Sequence, residues 1–255
     1  MNIKLLSLVV PAYKQEKTII KDIKILEKSL SSLPYNYEII VVVDGFVDRT
    51  FQNAKKIKSK NVTVLGYKKN NGKGYAVKHG MLHAKGDVIG FIDGGMDINP
   101  TGISILLDYM NFMNADIIVG SKLHPESKVN YPYIRRILSW GYRTLTQILF
   151  GFKVLDTQVG LKIFTRKTAM DVFPRILVKR FAFDVEILAV AYALGYKKIY
   201  EAPIKLYFKG GSSITSKNFW IVIFYMLWDT AAVFYRLRII KYYRKSNRKN
   251  WLQEQ

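Results

Sequence analysis

Short apolar runs, each closed by a turn residue or an acid, recur along the first half of the chain. LLSLVV at 5–10 stops at Pro11, and EIIVVV at 38–43 stops at Asp44 and Gly45. VTVLG at 62–66, DVIGFI at 87–92 and DIIVG at 116–120 follow. Runs of this length without polar alternation predict strands buried on both faces, as in a parallel sheet. Between them the apolar period changes. Ile19, Ile20, Ile23, Leu26 and Leu30 share one helical face. Further helices are expected over 48–60, 73–84 and about 100–114, the last with Pro100 in its first turn. Strands alternating with such helices predict βαβ units and an α/β fold with a mainly parallel sheet.

After Gly120 the pattern loosens. SKLHPESKVNYPYIRR at 121–136 is polar, contains two prolines and reads as a mobile loop. A helix is expected at about 134–150, with Ile134, Ile137, Leu138, Leu145 and Leu149 facing inward. The short segment LDTQVGLKIF follows, then helices near 166–173 and 182–195 and a strand at 197–208. No internal repeat is present, and residues 1–215 read as one domain. Residues 216–255 differ. The stretch 219–235 is almost wholly apolar and aromatic apart from Asp229, at the short limit for a bilayer span. Residues 236–249 then carry seven Lys or Arg and no acid. An aromatic apolar helix followed by a polybasic stretch suits a membrane surface, lying in it rather than crossing it. A helix packed on the core with a solvated basic end is the other reading.

Composition narrows the partners. The chain has 255 residues, 49% of them hydrophobic, which excludes a disordered protein. It has no cysteine, so disulfides, thiolate metal sites and cysteine nucleophiles are excluded. Of the three histidines, His79 and His83 have zinc-like spacing on one helix face, but no carboxylate pattern accompanies them. The formal charge of +21 calls for nucleic acid, anionic lipid or nucleotide phosphates. Nucleic acid is not expected, because the aromatic residues gather in the apolar tail rather than interleaving with a basic groove. The N-terminus reads as the first core strand of an intracellular protein rather than a signal peptide.

The acids at the strand ends carry the chemistry. A carboxylate inside a buried strand is costly, whereas at the C-terminal end it reaches solvent, a metal or a phosphate. VVVDGFVDRT and VIGFIDGGMDINP place Asp44, Asp48, Asp93 and Asp97 at two such ends, a site for a hard divalent cation and a phosphorylated ligand. Neither GxGxxG nor a P-loop is present; GKG at 72–74 alone is weak evidence.

Seven motifs taken in order resemble family-2 glycosyltransferases of the GT-A fold, over roughly residues 5–240. They are VVPAYKQEKTI, VVDGFVDRT, NGKGYAVKHGM, GDVIGFIDGGMDINP, RRILSWG, DTQVGLKIF and the stretch 181–204 ending GYKKIYEAPI. The match is best to enzymes that move a sugar from a nucleotide diphosphate to dolichyl or undecaprenyl phosphate. The resemblance implies that Pro11, Ala12 and Tyr13 wall the nucleobase and that Glu16 and Asp44 accept from base or ribose. It implies that Lys73 approaches the phosphates, and that Asp93, Gly94 and Asp97 meet the diphosphate, with Mg²⁺ or Mn²⁺ held by Asp93 and Asp97. Arg135, Arg136 and Lys122 would meet acceptor or donor phosphate, with Ser139, Asp156, Gln158 and Asp184 in support. Asp93, Asp97, Arg135 and Arg136 form the implied catalytic set. Tyr13 could equally be core packing, Asp48 a helix cap, and Asp156, Asp184 and Glu186 structural acids. Two positions depart from the family: Gly95 stands where a second Asp is usual, and Val43 replaces the first of a paired Asp. Asp97 then carries much of the metal expectation.

The expected activity is transfer of a hexose, UDP-glucose favoured and GDP-mannose second, to polyprenyl or dolichyl phosphate at the cytoplasmic face of a membrane. The alternatives are transfer to a lipid-linked oligosaccharide or other glycan, a basic nucleic-acid-binding protein, and a catalytically dead scaffold.

Overall fold

The computed structural model describes residues 1, 3–127, 133–180, 182–206, 219–247 and 251, with side chains for all of these except 133–138, 219, 220 and 245. Strand β1 (Leu5–Ala12) leads through helix α1 (Ile19–Leu30) to β2 (Asn36–Asp44), and α2 (Thr50–Lys55) leads to β3 (Val62–Tyr67). Helix α3 (Lys73–His83), β4 (Val88–Ile92), α4 (Gly102–Met113) and β5 (Ile117–Ser121) complete the first half. Then come α5 (Tyr133–Phe150), β6 (Leu161–Thr165), α6 (Arg166–Val172), α7 (Phe183–Ala193), β7 (Ile199–Pro203) and α8 (Phe219–Phe234).

The strands form one seven-stranded sheet in the order β3-β2-β1-β4-β6-β5-β7. β1 to β4 run parallel, and β7 runs parallel to β5. β6 is antiparallel to both β4 and β5, so the sheet is mixed as well as mainly parallel. The segment LDTQVGLKIF thus contains an inner strand that the apolar pattern does not announce, because Lys162 interrupts it. Helix α2 is also shorter than the expected 48–60, and the strand expected to 208 ends at Pro203, with 207 and 208 outside the described residues.

Both faces of the sheet are covered, which explains the unbroken apolar runs. Val9, Ile40, Val42 and Phe91 pack on one face with residues of α3, α6 and α7. Their neighbours Leu8, Val10, Ile39, Val41 and Val43 pack on the other with α1 and α4. The direction of strand progression reverses at β1, which lies between β2 and β4. In open α/β sheets the crevice outside such a switch point is the ligand site. Here the strand ends at that point carry Pro11, Ala12 and, just past β4, Asp93.

Helix α8 packs on the core through one face. Thr230 and Val233 are buried, the Thr230 hydroxyl lies 2.8 Å from that of Tyr142 on α5, and Phe234 meets Phe150 with ring centroids 6.5 Å apart. Its other side exposes Ile221, Phe224, Tyr225 and Trp228, and α5 exposes Trp140 and Ile148. Among the described residues no helix is long and apolar enough to cross a membrane.

Candidate functional site

Asp44 closes β2 and is buried, yet its carboxylate is not idle. Its two oxygens accept from the backbone N–H of Asn71 at 2.8 Å and of Gly72 at 2.9 Å. The acid therefore fixes the loop that delivers Lys73 to the first turn of α3. Gly74 N–H donates to the Lys179 carbonyl at 2.9 Å, so the segment after α6 straps the same turn from outside.

Held this way, the Lys73 ammonium lies 2.5 Å from Asp93 Oδ1, with 37% and 35% of the two side chains exposed. Burial works against the ammonium, but Asp93 and Asp184 outweigh it and hold the Lys73 pKa above its ordinary value. Asp93 is anchored by its own N–H, which donates to the Gly160 carbonyl at 2.8 Å. Gly160 is part of the wall: a Cβ there would fall 2.0 Å from the Asp93 carboxylate. Gly160→Ala is therefore expected to cost about 1–3 kcal/mol of stability through overpacking, read by urea denaturation. An unchanged midpoint would refute that close approach.

Beneath this pair lies a second one, wholly inside the protein. Lys162, opposite Phe91 in the β4–β6 ladder, places its ammonium on Asp184 at the start of α7 and donates to the Val159 carbonyl at 2.6 Å. Burial pushes the Asp184 carboxyl up and the Lys162 amine down, each opposed by the charge of the other. Asp93, Lys73, Asp184 and Lys162 thus alternate in sign from the open edge into the core. Lys162 and Gly160 are absent from the residues singled out by sequence. The signal for Lys162 was an acid and a base each embedded in an apolar run, LKIF and FAFDVEI.

The other acids divide. Asp48 accepts from Glu16 N–H and from Thr50 N–H two residues on, an Asx turn that leads into α2, whose N-cap is Arg49 and carries no side-chain cap. Burial raises its pKa, but these bonds, with Lys14 nearby, bring it below the usual carboxylate value. Glu16 in turn accepts from Arg49 N–H at 3.1 Å, so both acids staple the loop after β1 to α2. Tyr13 is exposed on that loop, beneath the Lys14 ammonium at 5.4 Å from its ring. Asp156 accepts from Lys122 N–H at 2.9 Å and is itself positioned by Glu201 on β7, fixing the exit of β5. Gln158 carries a buried side-chain nitrogen with no hydrogen-bond partner among the described residues. Arg135 and Arg136 lie on α5, but their side chains fall outside the described residues; Ser139, four and three positions on, is exposed.

The turn after β4 brings Gly94 against the Pro11 carbonyl and the Gln15 amide. Gly95 has φ +90° and Met96 φ +54°, and Asp97 lies exposed beyond them. A glycine suits that left-handed position, which gives a backbone reason for Gly95 where the family usually has Asp. Among the described residues no group of three or more His, Cys, Asp or Glu could hold a metal; His79 and His83 lie on one helix face with their rings tilted, centroids 4.6 Å apart. Asp93 and Asp97 do fit a different mode. Mg²⁺ and Mn²⁺ need only one or two carboxylates when phosphate oxygens and waters complete the shell. Two observations favour it: Asp93 already draws a cation in Lys73, and Gln15 Oε1 is buried beside the same turn with no hydrogen-bond partner among the described residues.

Comparison with known proteins places the chain in a family. The chain is 35% identical to a dolichyl-phosphate beta-glucosyltransferase of Dictyostelium discoideum over 204 residues, 74% of this chain and 62% of that protein. It is 35% identical to the Homo sapiens protein of the same name over 206 residues, 74% of this chain and 63% of that one. The chain thus spans less than two thirds of the length of these relatives. Among solved structures, mannosyl-3-phosphoglycerate synthase from Rubrobacter xylanophilus superimposes with a TM-score of 0.69 at 17% identity, covering 92% of this chain and 74% of that one. Glucosyl-3-phosphoglycerate synthase from Mycobacterium tuberculosis, solved with Mn²⁺, UDP and phosphoglyceric acid, gives 0.64 at 18% identity, covering 91% and 78%. These two share the fold, and residues 7–173 match the description of glycosyl transferase family 2; the chain belongs to that family.

Proposed function

We propose that the chain transfers glucose from UDP-glucose to dolichyl phosphate at the cytoplasmic surface of a membrane. The observation that carries this reading is the Lys73–Asp93 pair, set at the switch point of the sheet and backed by a buried opposite-charge pair. Asp93 and Asp97 would hold Mg²⁺ or Mn²⁺, which supplies neutralisation of the charge that grows on the departing nucleoside diphosphate. Lys73, kept cationic by Asp93 and Asp184, would meet the diphosphate beside Asp93. Tyr13, exposed past β1, walls the base with Pro11 and Ala12 buried behind it, while Asp44 and Glu16 hold the two loops that frame it. Lys122, Arg135, Arg136 and Ser139 take the acceptor phosphate, arginine by its two-pronged fork. Asp156 positions that loop, and Gln158 offers an unpartnered donor.

The acceptor phosphate is ionised at neutral pH, so no general base is required. Its oxygen attacks the anomeric carbon, the bond from that carbon to the UDP oxygen breaks, and UDP leaves with the electron pair. The relatives are named beta-glucosyltransferases, which supports inversion in a direct displacement. Residues 1–215 carry the transfer. Residues 216–255 hold the chain on the lipid through the exposed face of α8 and the basic stretch after it.

The test is purified protein with vesicles containing dolichyl phosphate, Mn²⁺ and labelled UDP-glucose or GDP-mannose. Label is expected in the lipid extract from UDP-glucose. No lipid-extractable label from either sugar overturns the proposal.

A further inference from the structure

We propose that a cleft at the C-terminal ends of α5 and α7 binds the phosphate headgroup of an anionic membrane lipid. The proposal rests on the membrane-surface reading above and names the ligand that docking would take. The cleft has a volume of about 400 Å³, and Lys197, Arg238, Lys241 and Arg244 line it above an apolar floor that includes Phe150 and Leu237. All four cations are exposed, and no Asp or Glu among the described residues lines the cleft. Among the described residues none of the four pairs with a carboxylate. Four like charges around one hollow repel each other when it is empty, and a bound anion relieves that repulsion. The two arginines suit phosphate, whose oxygens match the guanidinium fork.

Two features select a lipid over a soluble phosphate. The floor is apolar, and Ile239 and Ile240 are 61% and 46% exposed in the same turn as Arg238 and Lys241. Apolar side chains beside phosphate ligands are the arrangement of a helix end at the headgroup boundary, with isoleucine entering the acyl layer. The cleft is also a built feature of the fold. Tyr243 lines it, and the Tyr243 hydroxyl donates to Glu186, a fully buried acid of α7. Arg236 Nε donates to the same hydroxyl at 2.9 Å, and Arg175 Nε to the Tyr243 carbonyl at 3.0 Å. The turn presenting Arg238, Lys241 and Arg244 is therefore fixed to the core.

Sedimentation of the full chain with phosphatidylcholine vesicles containing phosphatidic acid tests this. At roughly five-fold per cation near an anionic leaflet, the Arg238→Ala, Arg244→Ala double variant is expected to partition about 30-fold more weakly, and Arg238→Lys, Arg244→Lys to recover much of it. Lys21→Ala, Lys24→Ala on α1 removes the same charge from exposed positions and is expected to stay near the parent. Equal losses from the two alanine pairs overturn the cleft in favour of general charge. Parent-like partitioning of the Arg238, Arg244 variant overturns it while leaving membrane docking intact. Failure of the parent itself to partition overturns both the cleft and the docking reading. Inorganic phosphate that protects the parent from heat but not the Arg238, Arg244 variant, with vesicle binding unchanged, assigns a soluble anion and overturns the lipid.

Discussion

Asp93→Asn is expected to lower kcat/KM for glucose transfer by about 10²–10³-fold, the range for losing one group aimed at developing charge. The substitution keeps shape and volume but removes the anion. An amide cannot hold a divalent cation as a carboxylate does, and it leaves the Lys73 ammonium, now 2.5 Å from Oδ1, without its nearest counter-charge. The Asp93 N–H bond to Gly160 is untouched, and the side chain is partly exposed, so the fold should persist. Initial rates across a Mn²⁺ titration provide the measurement, with thermal unfolding as control. A variant that unfolds like the parent and transfers at the parental rate would remove Asp93 from the chemistry.

Asp184→Ala acts on stability instead. It is expected to cost about 3–5 kcal/mol, because Lys162 is left as a buried charge whose partner has gone. Lys162 has no exposure and its other polar contact is a carbonyl, so water cannot take the place of the acid. Replacing both residues with apolar ones of similar size, Lys162→Met with Asp184→Leu, should recover most of that loss, since the desolvation penalty disappears with the pair. Urea denaturation of the single and double variants measures this. A single variant within about 1 kcal/mol of the parent would show that the pair contributes nothing net to stability.

The fold was largely legible because parallel strands buried on both faces write themselves as apolar runs, as at LLSLVV and EIIVVV. β6 escaped because its meaning lies in a partner 22 residues away: Lys162 looks like a strand breaker until Asp184 is seen beside it. The strand-end acids were legible as a group, but not their division of labour. Asp44 spends its oxygens on the backbone of 71 and 72, and Asp48 on that of 50 and 16, whereas Asp93 keeps a side chain facing the crevice. Nothing local distinguishes these cases, since each follows a strand. Gly160 was illegible for a related reason: what forbids a side chain there is Asp93, 67 positions earlier in the chain.

Glu186 joins parts of the molecule that the sequence presents as separate. One carboxylate oxygen takes Tyr243 and Arg236 from beyond α8, and the other takes the N–H groups of Leu177 and Val178, next to the Lys179 carbonyl that straps the Lys73 turn. A buried acid cannot lose half its donors and keep the rest unchanged. The tail is consequently a keystone as well as a tether: an enzyme trimmed ahead of Arg236 would keep a buried carboxylate with half its donors gone, next to the segment that straps the Lys73 turn. One buried carboxylate thus joins the tail to the segment that holds the Lys73 turn.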